Sequence, residues 1–271
     1  MAQVVERWIK MDSKFVNNLF DVKGKVAVIT GATGALGRAL AFGYGFAGMK
    51  VFVTGRSDKR CQELCSELEA QGIECGYSTG DPAVEADVIK VVNDTVTKFG
   101  EINVLVTAAG YNNPQPIVEQ DLEEWKKIMD SDVQGTWLFC KYVGEKMIAQ
   151  GKGGKVIMVS SARSKMGMAN YTGYCTAKGG IDLMAQSLAC EWTAKYKINV
   201  NTINPTVFRS DLTEWMFDPE SAVYQNFLKR LPVGRLGEPD DFVGPCIFLA
   251  SSASDFMTGA NVAVEGGYWA N

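Results

Sequence analysis

With 271 residues, 46% of them hydrophobic, and a net charge of −4, the chain can bury a large core and is too apolar for intrinsic disorder. The acidic balance offers no basic footprint for nucleic acid, and no apolar run approaches the ~18–20 residues that span a bilayer. Neither nucleic acid nor a membrane is expected as a partner. The sequence holds no histidine, so proton transfer near neutral pH must use a side chain whose pKa has been moved there.

Residues 1–20 read as an N-terminal extension. Val4, Val5, Trp8 and Ile9 sketch a short amphipathic helix that docks on the body or on a neighbour, and Met11 offers an alternative start. Glu6, Arg7 and Lys10 interrupt the apolar residues, and the hydrophobic region and cleavage site of a signal peptide are missing. Seven cysteines fall mostly at apolar helix positions; Cys61 and Cys65 share a stripe with Leu64 and Leu68. Small buried thiols in a reducing cytoplasm are expected. Without histidine or paired CxxC spacings, no metal site is expected.

From residue 21 to 271 one domain is expected. Continuous apolar, β-branched runs at 26–30, 51–54, 104–109, 156–160, 200–203 and 262–264, with a shorter one at 75–77, predict strands covered on both faces. Helical stripes alternate with them. One is Val88, Val91, Val92, Thr95, Val96 and Phe99, ended by Gly100; another is Ile181, Met184, Ala185, Leu188 and Trp192. This alternation predicts an α/β fold, a doubly wound parallel sheet with helices on both faces. The stretch 206–231 follows a strand end and is expected to be a substrate lid.

Two patterns carry the chemistry. The first strand runs into Thr30-Gly31-Ala32-Thr33-Gly34-Ala35-Leu36-Gly37 and then a helix over 38–46. Gly31 permits a tight turn, Gly37 lets the helix approach the strand, and the exposed amides favour a diphosphate. Thirteen residues after Ser161 comes Tyr174-Cys175-Thr176-Ala177-Lys178, a phenol and an ammonium one helical turn apart. A phenol at its ordinary pKa near 10 is a poor base at pH 7, and the lysine would stabilise the phenolate.

On these motifs the chain resembles the short-chain dehydrogenase/reductase family, single-domain branch, from about Gly24 to Tyr268. Its C-terminal third is most similar to the gluconate 5-dehydrogenase group. The resemblance implies a Rossmann-like fold and a reaction that interconverts a secondary alcohol and a ketone. It implies catalytic roles for Ser161, Tyr174 and Lys178, with Asp132 standing where the family has asparagine. Cofactor contacts are implied for Gly31, Thr33, Ala35, Leu36, Gly37, Arg56, Ser57, Asp81, Ala109, Gly110, Pro205, Val207 and Ser210, besides Tyr174 and Lys178. Ala35, Thr107, Ala108 and Thr206 also depart from the family's usual residues. Because Gly55-Arg56 replaces an acidic residue at the second strand's end, NADP is favoured, with NAD still possible.

The substrate expected is a polar sugar acid, polyol or other small anionic hydroxy compound, met by Arg163, Asn112, Arg209 and Trp215. An apolar ketone or 3-oxoacyl substrate is the alternative, with Phe208, Trp215, Met216, Phe217 and Trp269 lining the site. A non-catalytic NADP-binding regulator is the other. The resemblance also implies a homotetramer in the cytoplasm.

Overall fold

A computed structural model describes residues 13–271; the helix expected around Val4, Val5, Trp8 and Ile9 lies outside them. Seven strands form one parallel sheet in the order β3-β2-β1-β4-β5-β6-β7. They are β1 (Val26–Thr30), β2 (Lys50–Gly55), β3 (Cys75–Thr79), β4 (Val104–Thr107), β5 (Gly154–Val159), β6 (Ile198–Pro205) and β7 (Asn261–Val264). The chain order reverses between β1 and β4, so their carboxyl ends diverge and leave a crevice.

Period-two alternation sorts the strand side chains between two cores. Ala27, Ile29, Val104, Val106 and Ile157 pack on one face, with the helices α2 (Ala35–Phe46) and α9 (Pro239–Ala250). Val28, Leu105, Val156 and Met158 pack on the other. That second face is covered by α4 (Glu85–Phe99), α6 (Gly135–Gln150) and α7 (Thr172–Tyr196). The remaining helices are α1 (Ser13–Leu19), α3 (Asp58–Ala70), α5 (Leu122–Met129) and α8 (Ala222–Leu228). A third, smaller core lies under 206–231: Ala162, Phe217, Leu231, Leu236 and Tyr268.

The expected stripes are found where helices form. Cys61, Leu64, Cys65 and Leu68 are the buried face of α3, and Val88, Val91, Val92 and Thr95 that of α4, which Gly100 ends at φ 84°. β1 has the expected bounds, the other strands shift by one or two residues at an end, and two of these differences have a clear cause. β6 is longer, because Asn199 and Asn201 interrupt the apolar run yet sit buried, donating to the Met257 carbonyl. β4 is shorter, because Ala108 and Ala109 leave the ladder to cross the glycine turn. There the Ala109 amide donates to Thr30 Oγ1 at 3.0 Å. Among the described residues, no helix is long and apolar enough to cross a membrane.

Candidate active site

The crevice between β1 and β4 opens into a cleft of about 620 Å³ along the carboxyl ends of β1 to β4. Gly31, Thr33 and Gly34 form one wall, and Ala109 and Gly110 another. Gly31 has φ +62°, and a Cβ there would stand 2.7 Å from the Ala108 carbonyl oxygen, so only glycine fits. A Cβ on Gly37 would lie 2.4 Å from the Gly31 oxygen, which fixes the close approach of α2 to the turn. Gly34 is the N-cap of α2 and no side chain caps it, so the first amides of the helix, from Ala35 and Leu36 onward, stay available to an anion.

At the far end of the cleft stand Arg56 and Arg60, with Asp81 opposite. Arg60 escaped the sequence reading, although it lies one helical turn beyond Arg56. Its Nη2 donates to the Thr33 carbonyl at 2.9 Å, which sets the guanidinium across the glycine turn. Ser57 spends its hydroxyl on capping α3, accepting from the Arg60 amide, and Asp81 accepts from the Ala83 amide. Gly55 has a packing reason as well: a Cβ would sit 3.3 Å from Thr33 Oγ1 and 3.4 Å from Cys61 Sγ. A dinucleotide carrying a 2′-phosphate fits this donor set, with backbone amides at the centre and guanidinium groups rather than a carboxylate at the ribose end.

Around Lys178 the site is dry and charged. Lys178 Nζ is buried, 2.7 Å from Asp132 Oδ1, and donates to the Val159 carbonyl at 3.2 Å. It also stands 5.3 Å from the centre of the Tyr174 ring. Asp132 sits in a π-helical segment, Asp130–Gln134, between α5 and α6; such bulges gather at functional positions. Its Oδ2 accepts from the Tyr111 amide at 2.7 Å. Burial presses the Lys178 ammonium downward, but Asp132, Tyr174 and Asp182 together outweigh it and hold its pKa above the ordinary 10.5.

Ser161 is buried at the end of β5, and its hydroxyl accepts from the Arg163 amide at 3.1 Å. Its carbonyl accepts from Asn204 Nδ2, which also reaches Ser164 Oγ and the Asp182 carboxylate. Neither Asn204 nor Asp182 was singled out from sequence; an asparagine ending an apolar strand and an aspartate inside a helix carry no distinctive spacing. Pro205 ends β6, the Val207 carbonyl accepts from the Gly237 amide, and Ser210 shares a hydroxyl bond with Thr213. Thr107 Oγ1 and Asn112 Oδ1 are buried oxygens without a hydrogen-bond partner among the described residues.

The four expected substrate residues diverge. Asn112, two residues past Gly110, buries that unpartnered oxygen. Arg163 turns to the C-terminal segment, where its Nη2 donates to Tyr268 Oη at 3.0 Å. Arg209 is not left free for a substrate: Glu238 at 3.0 Å and Glu214 at 2.6 Å hold its guanidinium over the Phe217 ring. Trp215 is 61% exposed rather than folded over a pocket.

Comparison with known proteins agrees with this geometry. Residues 31–269 match a family model described as enoyl-(acyl carrier protein) reductase. An uncharacterized oxidoreductase of Mycobacterium tuberculosis (strain H37Rv) is 40% identical over 256 residues, covering 93% of each chain. A 2-dehydro-3-deoxy-D-gluconate 5-dehydrogenase of Formosa agariphila is 36% identical over 251 residues, covering 92% of this chain and 94% of its own. Among solved structures, a gluconate 5-dehydrogenase from Burkholderia cenocepacia J2315 in complex with NADP and tartrate superposes with a TM-score of 0.90. It is 28% identical over 94% of this chain and 99% of its own.

Asp132→Asn tests the electrostatics of the centre. Removing the carboxylate leaves a buried ammonium without its partner, a loss of up to about 3–5 kcal/mol. Lys178 is raised in the folded state, so its favourable contribution is present below the unfolded lysine value and lost as pH rises through the folded one. The stability deficit of the variant should therefore be largest near neutrality and shrink above pH 10.5, once wild-type Lys178 also loses its proton. Urea unfolding over a pH series reads this directly; a deficit independent of pH would mean that Asp132 does not hold the charge.

Proposed function

The chain belongs to the short-chain dehydrogenase/reductase family, and from that premise we propose that it interconverts a secondary alcohol and a ketone with NADP(H). The substrate is a small polar hydroxy compound of the sugar-acid or polyol kind. The observation that carries this reading is the buried Lys178 ammonium, held by Asp132 and facing the Tyr174 ring. In a chain without histidine, this is how a phenol is made able to move a proton.

The nicotinamide cofactor supplies or accepts the hydride. The protein does the rest. Tyr174 takes the proton from the carbinol oxygen, or returns it to the carbonyl oxygen in the reverse direction. The fixed positive charge of Lys178 favours the negative charge that develops on the phenol oxygen, and burial away from water strengthens that attraction. The Ser161 hydroxyl holds the reacting oxygen of the substrate against Tyr174. Arg56 and Arg60 would hold the 2′-phosphate, and the amides opening α2 would hold the diphosphate. Residues 206–231 act as the lid.

Support for an apolar substrate is weaker, because Phe208 and Phe217 are spent in the cores, 6% and 8% exposed. Support for a regulator without turnover is weaker still, because Asp132 keeps Lys178 charged. We assign the protein to the cytoplasm, in keeping with seven cysteines that are all free thiols. We also infer a homotetramer. Leu122 and Trp125 on α5 and Leu183 on α7 leave apolar surface exposed on the two helices that would pair across one axis. Sedimentation at micromolar concentration should give four copies; a monomer would remove this inference.

Tyr174→Phe should lose hydride transfer, followed at about 340 nm with a panel of hydroxy acids, polyols and cyclic ketones, by at least about a thousandfold. NADP binding should stay within a few-fold, since the phenol is not what holds the dinucleotide. Turnover close to wild type would remove the mechanism.

Arg56→Ala should weaken NADP binding about tenfold or more and leave NAD binding nearly unchanged, because only the 2′-phosphate carries the charge that the guanidinium meets. Equal losses for both cofactors, or tighter binding of NAD by the wild type, would overturn the choice of NADP.

A further inference from the structure

The C-terminal turn carries an unusual set of charges. Tyr268 is 1% exposed, in the small core with Ala162, the residue after Ser161. Two guanidinium groups approach it. Arg163 Cζ is 5.3 Å from the ring centre, on the side of the hydroxyl to which its Nη2 donates. Arg230 Cζ is 4.2 Å from the same centre. Next to them, Lys165 Nζ lies 4.6 Å from the Trp269 ring, and Trp269 Nε1 donates to the Ala162 carbonyl at 3.0 Å. Among the described residues none of these three cations has a carboxylate within ion-pair distance, whereas Arg209 and Arg235 nearby are both paired.

Like charges gathered on one ring repel each other, and the aromatic face returns only part of that cost. The Glu265 carboxylate stands at the same turn, but it accepts from the Trp269 amide at 2.9 Å and makes no ion pair with any of the three cations. An anion arriving between the two guanidiniums would relieve the repulsion and gain charge-assisted bonds to planar donors. The cluster is anchored to the reacting end of the site. Arg163 is two residues past Ser161 and its amide donates to the Ser161 hydroxyl, while Arg230 follows α8 of the lid.

We propose that Arg163 and Arg230, set about Tyr268, form the site for a substrate carboxylate and make this a dehydrogenase of hydroxy acids rather than of neutral polyols. Arg163 comes from the loop after β5 and Arg230 from the lid, so binding of the carboxylate draws the lid onto that loop. Tyr268 is a positioning residue: its hydroxyl fixes Arg163 and its ring seats Arg230. The assignment deepens the function proposed above and rests on it.

Tartrate and threitol share a four-carbon diol skeleton and differ in their ends, carboxylate against hydroxymethyl, so they isolate the charge. Titrated calorimetrically into the full chain with and without NADP⁺, at fixed low salt, tartrate should bind at least tenfold more tightly than threitol. Arg230→Ala, which changes an exposed side chain, should bring the ratio of the two affinities close to one. Arg163→Lys, which keeps the charge but loses the planar fork, should reduce the ratio severalfold. Equal binding of tartrate and threitol by the wild type, or a ratio unmoved in both variants, would overturn the carboxylate site. The NADP⁺ titration reads the other question separately: a chain that shows the tartrate preference but no NADP⁺ binding keeps the anion site and loses the dehydrogenase reading.

Discussion

The arrangement of the reacting end depends on one buried ion pair, Lys178 with Asp132. Its two members come from elements far apart in the chain, the second turn of α7 and the π-helical segment between α5 and α6. Each is tied to a third element. Lys178 donates to Val159 at the end of β5, and Asp132 accepts from Tyr111 just past β4. The pair thus closes a ring of four elements around the carboxyl ends of β4 and β5. A buried pair of this kind is expensive to desolvate, and its net effect on stability is often small. What it contributes is position and charge: an ammonium that cannot leave and that remains protonated.

The inserted turn explains how Asp132 gets there. In a regular helix running from α5 into α6, the wider turn would be absent and the carboxylate would not come inward at that height. The segment Asp130–Gln134 provides that wider turn. Gly110 makes room for the carboxylate, because a Cβ there would stand 3.0 Å from Asp132 Oδ1 and press on it. A parallel arrangement secures Ser161 from behind. Asn204 is fully buried and bonds Ser161, Ser164 and Asp182 through a single amide group, and Thr202 donates to its oxygen. Asp182 follows Lys178 by one turn of α7, so the same helix face carries the ammonium and the carboxylate that orients the serine strand.

Much of this was legible in the chain because two physical signals are local. Parallel strands covered on both faces must be continuously apolar, and all seven strand positions could be read with ends correct to within two residues on that basis. Glycines whose substitution would collide with backbone, Gly31 and Gly37, announce the tight turn from β1 into α2 just as locally. The signal failed where burial was polar. Asn199, Asn201 and Lys155 lie inside strands, satisfied by Met257, Asp255 and their neighbours, and no period marks such residues. It failed again where function depends on distant partners. Arg209 looked available for a substrate because nothing adjacent in sequence foretells both Glu214 and Glu238 closing on it.

The contrast between Arg209 and Arg230 shows what determines whether a cation can serve a ligand. Both lie at the borders of 206–231 and both stack on an aromatic ring, 4.1 Å and 4.2 Å from the ring centres. Stacking therefore does not separate them. Arg209 has two carboxylates to satisfy its donors, and these hold its proton more tightly still, so an incoming anion would have to displace bonds of equal strength. Arg230 offers planar donors that no carboxylate among the described residues engages, and an anion there displaces only water. The segment 206–231 is thus pinned at its beginning by internal ion pairs, and the guanidinium at its end has no ion pair among the described residues. In the carboxylate site proposed above, closure would be a property of that second border, where binding energy from a substrate anion can be spent on bringing Ser161, its loop and this segment together.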